Sequence, residues 1–169
     1  MQQSEFVTTG VYPEMIWFED FAVGQVFEYG DWVMRRDQMI AFATLYDPEP
    51  FHLDEAAAVA QGWGGLIASG PQVAAIWRRL SKEAFPNAET VISPGWDNIR
   101  WLKPVFAGDR LSARTEIAEA RELGSRPGEG MLKLRNEIRR QGGELVATLS
   151  STWFVRRRPG WAERANHSD

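Results

Sequence analysis

From Arg110 to Val155 the sequence keeps a two-residue rhythm, and that rhythm limits what the chain can become. Leu111, Ala113, Thr115 and Ile117 alternate with Arg110, Ser112, Arg114 and Glu116. After a polar Gly- and Pro-containing loop over 124–130, Leu132, Leu134 and Ile138 alternate with Lys133, Arg135, Glu137 and Arg139. Such strands turn one face to a core and the other to water, the habit of an antiparallel sheet. Gly142-Gly143 signals a tight hairpin into a last strand, Leu145 to Val155. Trp96 to Leu102 reads as a strand ahead of these. Val26 to Arg35 reads as the first, with Gly30 marking a bulge.

Between the first strand and the other four the rhythm becomes helical. Val73, Ile76, Trp77, Leu80 and Ala84 form one apolar stripe. Pro71 suits the first helical position, with Gly70 at or next to the cap. Asp37 is a candidate N-cap for a helix carrying Met39, Phe42, Ala43 and Tyr46, and Asp54 caps a short alanine-rich helix to Gln61. A sheet of about five strands has one face to cover, and the long helix is the available cover. The expected architecture is α+β: a single hot-dog fold, an antiparallel sheet wrapped around one long central helix, with short helices overhanging it. The domain is expected over 16–158, with an arm over 1–15 and a tail over 159–169.

Composition narrows the function. A chain of 169 residues can bury a full core, and with no cysteine it has no disulfide or thiolate chemistry. A net charge of −4 argues against nucleic-acid binding, and Arg156-Arg157-Arg158 reads as a solvated strand end. No apolar run approaches membrane-spanning length and no secretory signal is visible, so a cytoplasmic protein is expected. Eight tryptophans are many for this length, and some are expected to line a cavity or a subunit contact.

Chemistry concentrates in Tyr46-Asp47-Pro48-Glu49-Pro50-Phe51-His52-Leu53-Asp54. His52 is the one histidine outside the extreme C-terminal tail. Pro48 and Pro50 push Asp47 and Glu49 out of the α region, which predicts a stiff, extended loop. An Asp and a His held on such a loop can meet around one water, the geometry that general acid–base chemistry requires. Ser69 has no second histidine in the folded body to serve it and reads as a cap or turn residue. Gly62, Gly64 and Gly65 fit no phosphate motif. A metal site is not expected, because His52 has no partner at ligand spacing.

Three stretches together resemble the MaoC-like acyl dehydratases and (R)-specific enoyl-CoA hydratases: Asp47 to Asp54, Gly65-Leu66-Ile67-Ala68-Ser69-Gly70, and Trp101 to Asp109. The likeness runs from about Phe18 to Val155. It implies that Asp47 and His52 activate the water that adds to a 2-enoyl thioester, and that the Gly70 amide polarises the thioester carbonyl. It also implies an acyl-CoA substrate, no further cofactor, and a homodimer or larger assembly with the site near the subunit interface. Ser69, Arg78, Arg100 and Lys103 are the candidate substrate contacts. The last two stand where coenzyme A phosphates or bulk water would meet them. The sequence departs from the family pattern twice. Glu49 replaces the usual Asn, and Arg78 stands where a small hydroxyl residue often faces the pocket. A thioesterase on the same fold and a non-catalytic acyl-thioester-binding subunit are the rival expectations.

Overall fold

The computed structural model describes residues 14–162. Most of the expected arm and tail therefore lies outside the described residues. Five strands form one antiparallel sheet: β1 (Val26–Val33), β2 (Thr90–Trp101), β3 (Arg110–Glu122), β4 (Glu129–Arg140) and β5 (Glu144–Arg156). Their order across the sheet is β1-β3-β4-β5-β2, so β1 and β2 are the edges. The alternation holds in β3 from Arg110 to Ile117, with Leu111, Ala113, Thr115 and Ile117 buried and their neighbours more exposed, and in β4 from Leu132 to Ile138, although Gly130 and Met131 ahead of Leu132 are buried as well.

Four helices follow β1: α1 (Arg36–Tyr46), α2 (Pro50–Leu53), α3 (Glu55–Ala60) and α4 (Gly70–Ala84). The stripe of α4 lies on the inner face of the sheet. Trp77 and Leu80 pack among Leu111, Ala113, Ile138, Val146, Ala147 and Leu149. Fully burying a side chain of that size contributes about 1.5–3 kcal/mol, which fixes α4 against the sheet. A second cluster, including Phe21, Phe27, Phe85 and Trp153, closes the core around the far end of the helix. Gly30 is where α4 and β1 come closest. A Cβ there would lie 2.7 Å from Leu80 Cδ1, its φ is +87°, and the β1–β3 register shifts between Tyr29 and Trp32. The expected bulge is what admits the helix.

Three local expectations are corrected. The cap of α1 is Arg35, and Asp37 lies in its first turn, held by the Arg35 guanidinium at 2.8 and 3.1 Å. The 47–52 loop is not extended throughout, because Pro50 starts the single turn of α2, with the His52 amide donating to the Glu49 carbonyl at 2.9 Å. Pro at the first helical position suits that turn, since no N–H is lost there. Asp47 and Glu49 do stay non-helical, at ψ 67° and 138°. The strand expected at Trp96 begins at Thr90 instead, because an edge strand tolerates Pro94 and the left-handed Asn98 at φ 54°. Asp54 caps α3 as expected, accepting from the Ala57 amide at 2.9 Å.

Candidate active site

The three stretches singled out in the sequence converge at the N-terminus of α4. Leu66, Ile67 and Ala68 run antiparallel to Val105, Phe106 and Ala107, joined by Ala68 N to Val105 O at 2.8 Å and Ala107 N to Leu66 O at 3.4 Å. This short pairing fixes the Ile67 carbonyl. His52 Nδ1 donates to that carbonyl at 2.9 Å. A carbonyl only accepts, so Nδ1 carries the proton and the neutral ring presents Nε2 as a lone pair.

Nε2 lies 3.5 Å from Asp47 Oδ2. The His52 side chain is nearly buried and that of Asp47 is 29 % exposed, so the pair opens to one side. Ser69 is 1 % exposed and donates its hydroxyl to the same Asp47 oxygen at 2.6 Å. Ser69 is the N-cap of α4, yet its side chain makes no capping bond. Its proton is committed to Asp47, and the first-turn amides of α4 are left for another acceptor.

Gly70 opens α4, and Pro71 after it has no N–H. The Trp101 indole covers Gly70 so closely that a Cβ would lie 2.6 Å from Trp101 Cε2. Glycine is required here by that approach. His52, Gly70, Trp63, Val73, Trp101 and Lys103 are among the residues lining one cavity of about 340 Å³, mostly apolar, with a histidine and a helix N-terminus on its wall. A helix N-terminus favours developing negative charge.

The remaining candidates fall in different places. Lys103 lines the cavity, but its ammonium pairs with Glu144, and Lys103 and Arg140 together hold the Glu144 carboxyl below the ordinary range. Arg100 is exposed on β2, donates to the Ile99 carbonyl at 2.9 Å, and is not among the lining residues. Ser69 is not among the residues lining this cavity, and its hydroxyl is given to Asp47. Arg78 does not face this cavity either, and lines a second one near the other end of α4. Glu49 is exposed, so its carboxylate points to water. Among the described residues, no three His, Asp or Glu side chains cluster in a way that would hold a metal ion. Nor is any helix long and apolar enough to cross a membrane. Sequence reasoning missed the Ser69–Asp47 bond, which joins positions 22 residues apart. It had also left Trp101 and Trp63 unassigned as walls.

Comparison with known proteins bears on the fold and the family. The MaoC-like dehydratase from Rhodospirillum rubrum superimposes with a TM-score of 0.79 at 35% identity, over 85% of this chain and 99% of that one. The (R)-hydratase from A. caviae involved in PHA biosynthesis superimposes with a TM-score of 0.66 at 27% identity, over 83% and 99%. In sequence, the (R)-specific enoyl-CoA hydratase of Aeromonas caviae is 30% identical over 112 residues, which is 66% of this chain and 78% of that protein. The model of the MaoC like domain matches residues 20–134, and the chain belongs to that family.

Proposed function

We propose that the protein is a hydro-lyase that adds water reversibly across the double bond of a 2-enoyl thioester, with coenzyme A as the expected carrier. One observation carries the reading: His52 and Gly70 line one mostly apolar cavity, and His52 Nε2 stands 3.5 Å from Asp47 Oδ2. Two acceptors at that separation can each receive one O–H of a single water, leaving the water's lone pair free for C3 of the substrate. As the O–C3 bond forms, His52 Nε2 takes the water proton. The Ile67 carbonyl holds the opposite N–H, and the Asp47 carboxylate faces the charge that develops. The C2=C3 pair moves toward the thioester, whose oxygen becomes an enolate held by the Gly70 N–H. The enolate then collapses as C2 receives a proton from His52, which restores the starting dyad. Dehydration is the same path reversed.

Trp63 and Trp101 would close the cavity over the acyl group and keep bulk water out. The edge strand β2 exposes Ile92, Trp96 and Trp101, and Leu102 just beyond it is exposed as well. A second copy docking along this edge would cover them and bring the interface to the cavity wall at Trp101. A homodimer is therefore part of the reading.

The test incubates the protein with straight-chain and branched 2-enoyl-CoAs and identifies the products. A 3-hydroxyacyl-CoA, formed by wild type and lost in Asp47→Asn and His52→Ala, is the expected result. Free coenzyme A instead would make the protein a thioesterase, and activity surviving both substitutions would remove the dyad from the mechanism.

A further inference from the structure

Arg78 is an unusual cation in this molecule. Its neighbour Arg79 is exposed and pairs with Glu83 one turn on, at 2.6 Å. The residue one turn on from Arg78 is Lys82, whose ammonium donates to the Pro86 carbonyl at 2.9 Å. Arg78 is half-buried, and no carboxylate among the described residues reaches it. It lines a second cavity of about 180 Å³ with Ser81, Phe85, Ile92, Ser93 and Trp153. The Ser93 hydroxyl is buried without a hydrogen-bond partner, and that of Ser81, which is 1 % exposed as a whole, has only the Tyr29 phenol beside it. One guanidinium and two hydroxyls thus converge on a space that Phe85, Ile92 and Trp153 share with Lys82 and Thr90. Even a half-buried cation without a counter-charge is costly, and so is a buried unpaired hydroxyl such as that of Ser93. All of these groups donate, so the matching ligand is an anion on an apolar stem, and a carboxylate fits the planar fork of arginine.

The second cavity lies on the same seam as the first. α4 and β2 meet through their side chains at three places. Gly70 and Trp101 meet at one end, Trp77 stacks edge-on against Trp96 at 5.3 Å in the middle, and Arg78, Ser81 and Ser93 stand toward the other. Trp96, on the edge strand and 37 % exposed, is the side chain that a ligand running along the seam must pass. Arg78 is eight residues on from Gly70, which is on the order of 12 Å of helix. An extended chain covers that in about ten bonds.

We propose that Arg78, Ser81 and Ser93 form a carboxylate subsite for the far end of the acyl chain. The preferred substrates are then medium-chain 2-enoyl thioesters ending in a second carboxyl group. This rests on the hydro-lyase reading and names its substrate class. A four-carbon diacid is too short to occupy both ends.

The experiment compares kcat/KM for 2-decenedioyl-CoA, 2-decenoyl-CoA and the four-carbon diacid thioester in wild type, Arg78→Met, Arg78→Lys and Ser81→Ala. Wild type is expected to favour the ten-carbon diacid over its monoacid by about tenfold or more, because the monoacid leaves buried donors unpaired. Arg78→Met should raise KM for the diacid by about the same factor, leave kcat near wild type and spare the monoacid, with Arg78→Lys intermediate. Equal rates on the two ten-carbon substrates, or equal losses on both in Arg78→Met, would overturn the subsite. Binding of decanedioyl-CoA against decanoyl-CoA, measured by calorimetry, reads the subsite without turnover. If wild type turns over neither substrate, the hydro-lyase reading fails, while the binding difference still decides the subsite. If Arg78→Met loses its oligomer in sedimentation and the diacid preference persists, Arg78 belongs to a subunit contact and the proposal is wrong.

Discussion

Two groups of polar side chains sit in this fold, and they are bonded in opposite ways. In the sheet, Tyr29, Thr115, Asn136 and Ser151 form a line across four strands. Tyr29 and Thr115 are 2.7 Å apart, Thr115 donates to Asn136 Oδ1 at 2.7 Å, and Asn136 Nδ2 donates to Ser151 at 3.0 Å and to the Leu149 carbonyl at 3.3 Å. Because the Thr115 proton goes to Asn136, Thr115 accepts from Tyr29. Each member passes its hydrogen bond to the next, and Thr115, Asn136 and Ser151 are almost fully buried. At the α4 N-terminus the bonding stops short. Ser69 donates to Asp47 and His52 donates to Ile67, but the Asp47 carboxylate, His52 Nε2 and the first amides of α4 keep unused capacity, and His52 and Gly70 line a cavity. The closed line stabilises the sheet, and the open cluster is equipped for chemistry. Unused hydrogen-bonding capacity facing a cavity separates the two, not the residue types involved.

The sharpest way to break this contrast is to remove one member of each group and read both stability and turnover. His52→Ala should lower kcat/KM by about 10²–10⁴, since general acid–base catalysis typically contributes that much. Its unfolding midpoint in urea should stay close to wild type. A large loss of stability with retained turnover would move His52 into the structural group. Asn136→Ala should do the reverse. It strands the Thr115 hydroxyl and leaves Ser151 and the Leu149 carbonyl short of a donor in the core, which costs about 2–3 kcal/mol. Activity per folded molecule should be unchanged. Urea titration together with turnover at low temperature checks both halves.

The sequence exposed these two groups unequally, for physical reasons. Asp47 and His52 stood out because prolines punctuate their loop and because the folded body has no other histidine. The inward phase of Thr115 was already visible in the alternation of β3, and Asn136 and Ser151 occupy inward positions of β4 and β5 in the same way. Their bonding was not visible, since it depends on the register that sets Thr115 opposite Asn136. The α2 turn escaped notice because four residues are too few to show a period. Ser69 was readable as a cap by position, and only the tertiary approach of Asp47 turns its hydroxyl elsewhere. The surroundings of Arg78 were hidden because Pro94 and Gly95 disguise the start of β2, which supplies Thr90, Val91, Ile92 and Ser93 to that cavity.

Ser69→Ala sharpens the contrast at the border between the groups. Ser69 is as buried as the sheet network, yet it bonds to Asp47. If it positions the carboxylate, its loss should lower kcat by about tenfold, as a slightly misplaced catalytic group does. KM should change little, and Ser69→Thr should recover part of the rate. A drop in stability with unchanged kcat would assign Ser69 to the scaffold.

The smallest effect is expected at the end of the closed line, where Tyr29→Phe deletes one hydroxyl. Burial pushes the Tyr29 phenol above its ordinary value, against the lowering influence of Thr115, Ser81, Trp77 and the Arg78 charge. A phenol whose value is raised in the folded state stabilises the fold fully below the unfolded value of about 10, and that contribution is lost as pH rises through the folded value. At neutral pH the substitution should cost about 1 kcal/mol, one ordinary hydrogen bond. Above about pH 10 the unfolded wild-type chain releases the Tyr29 proton while the folded chain retains it, so wild type loses stability that Tyr29→Phe cannot lose. The gap between the two proteins should therefore narrow with alkalinity. Urea denaturation on either side of that pH measures it. A constant gap would mean that the phenol is not shielded as its burial implies, and that the closed line is open to water at its Tyr29 end.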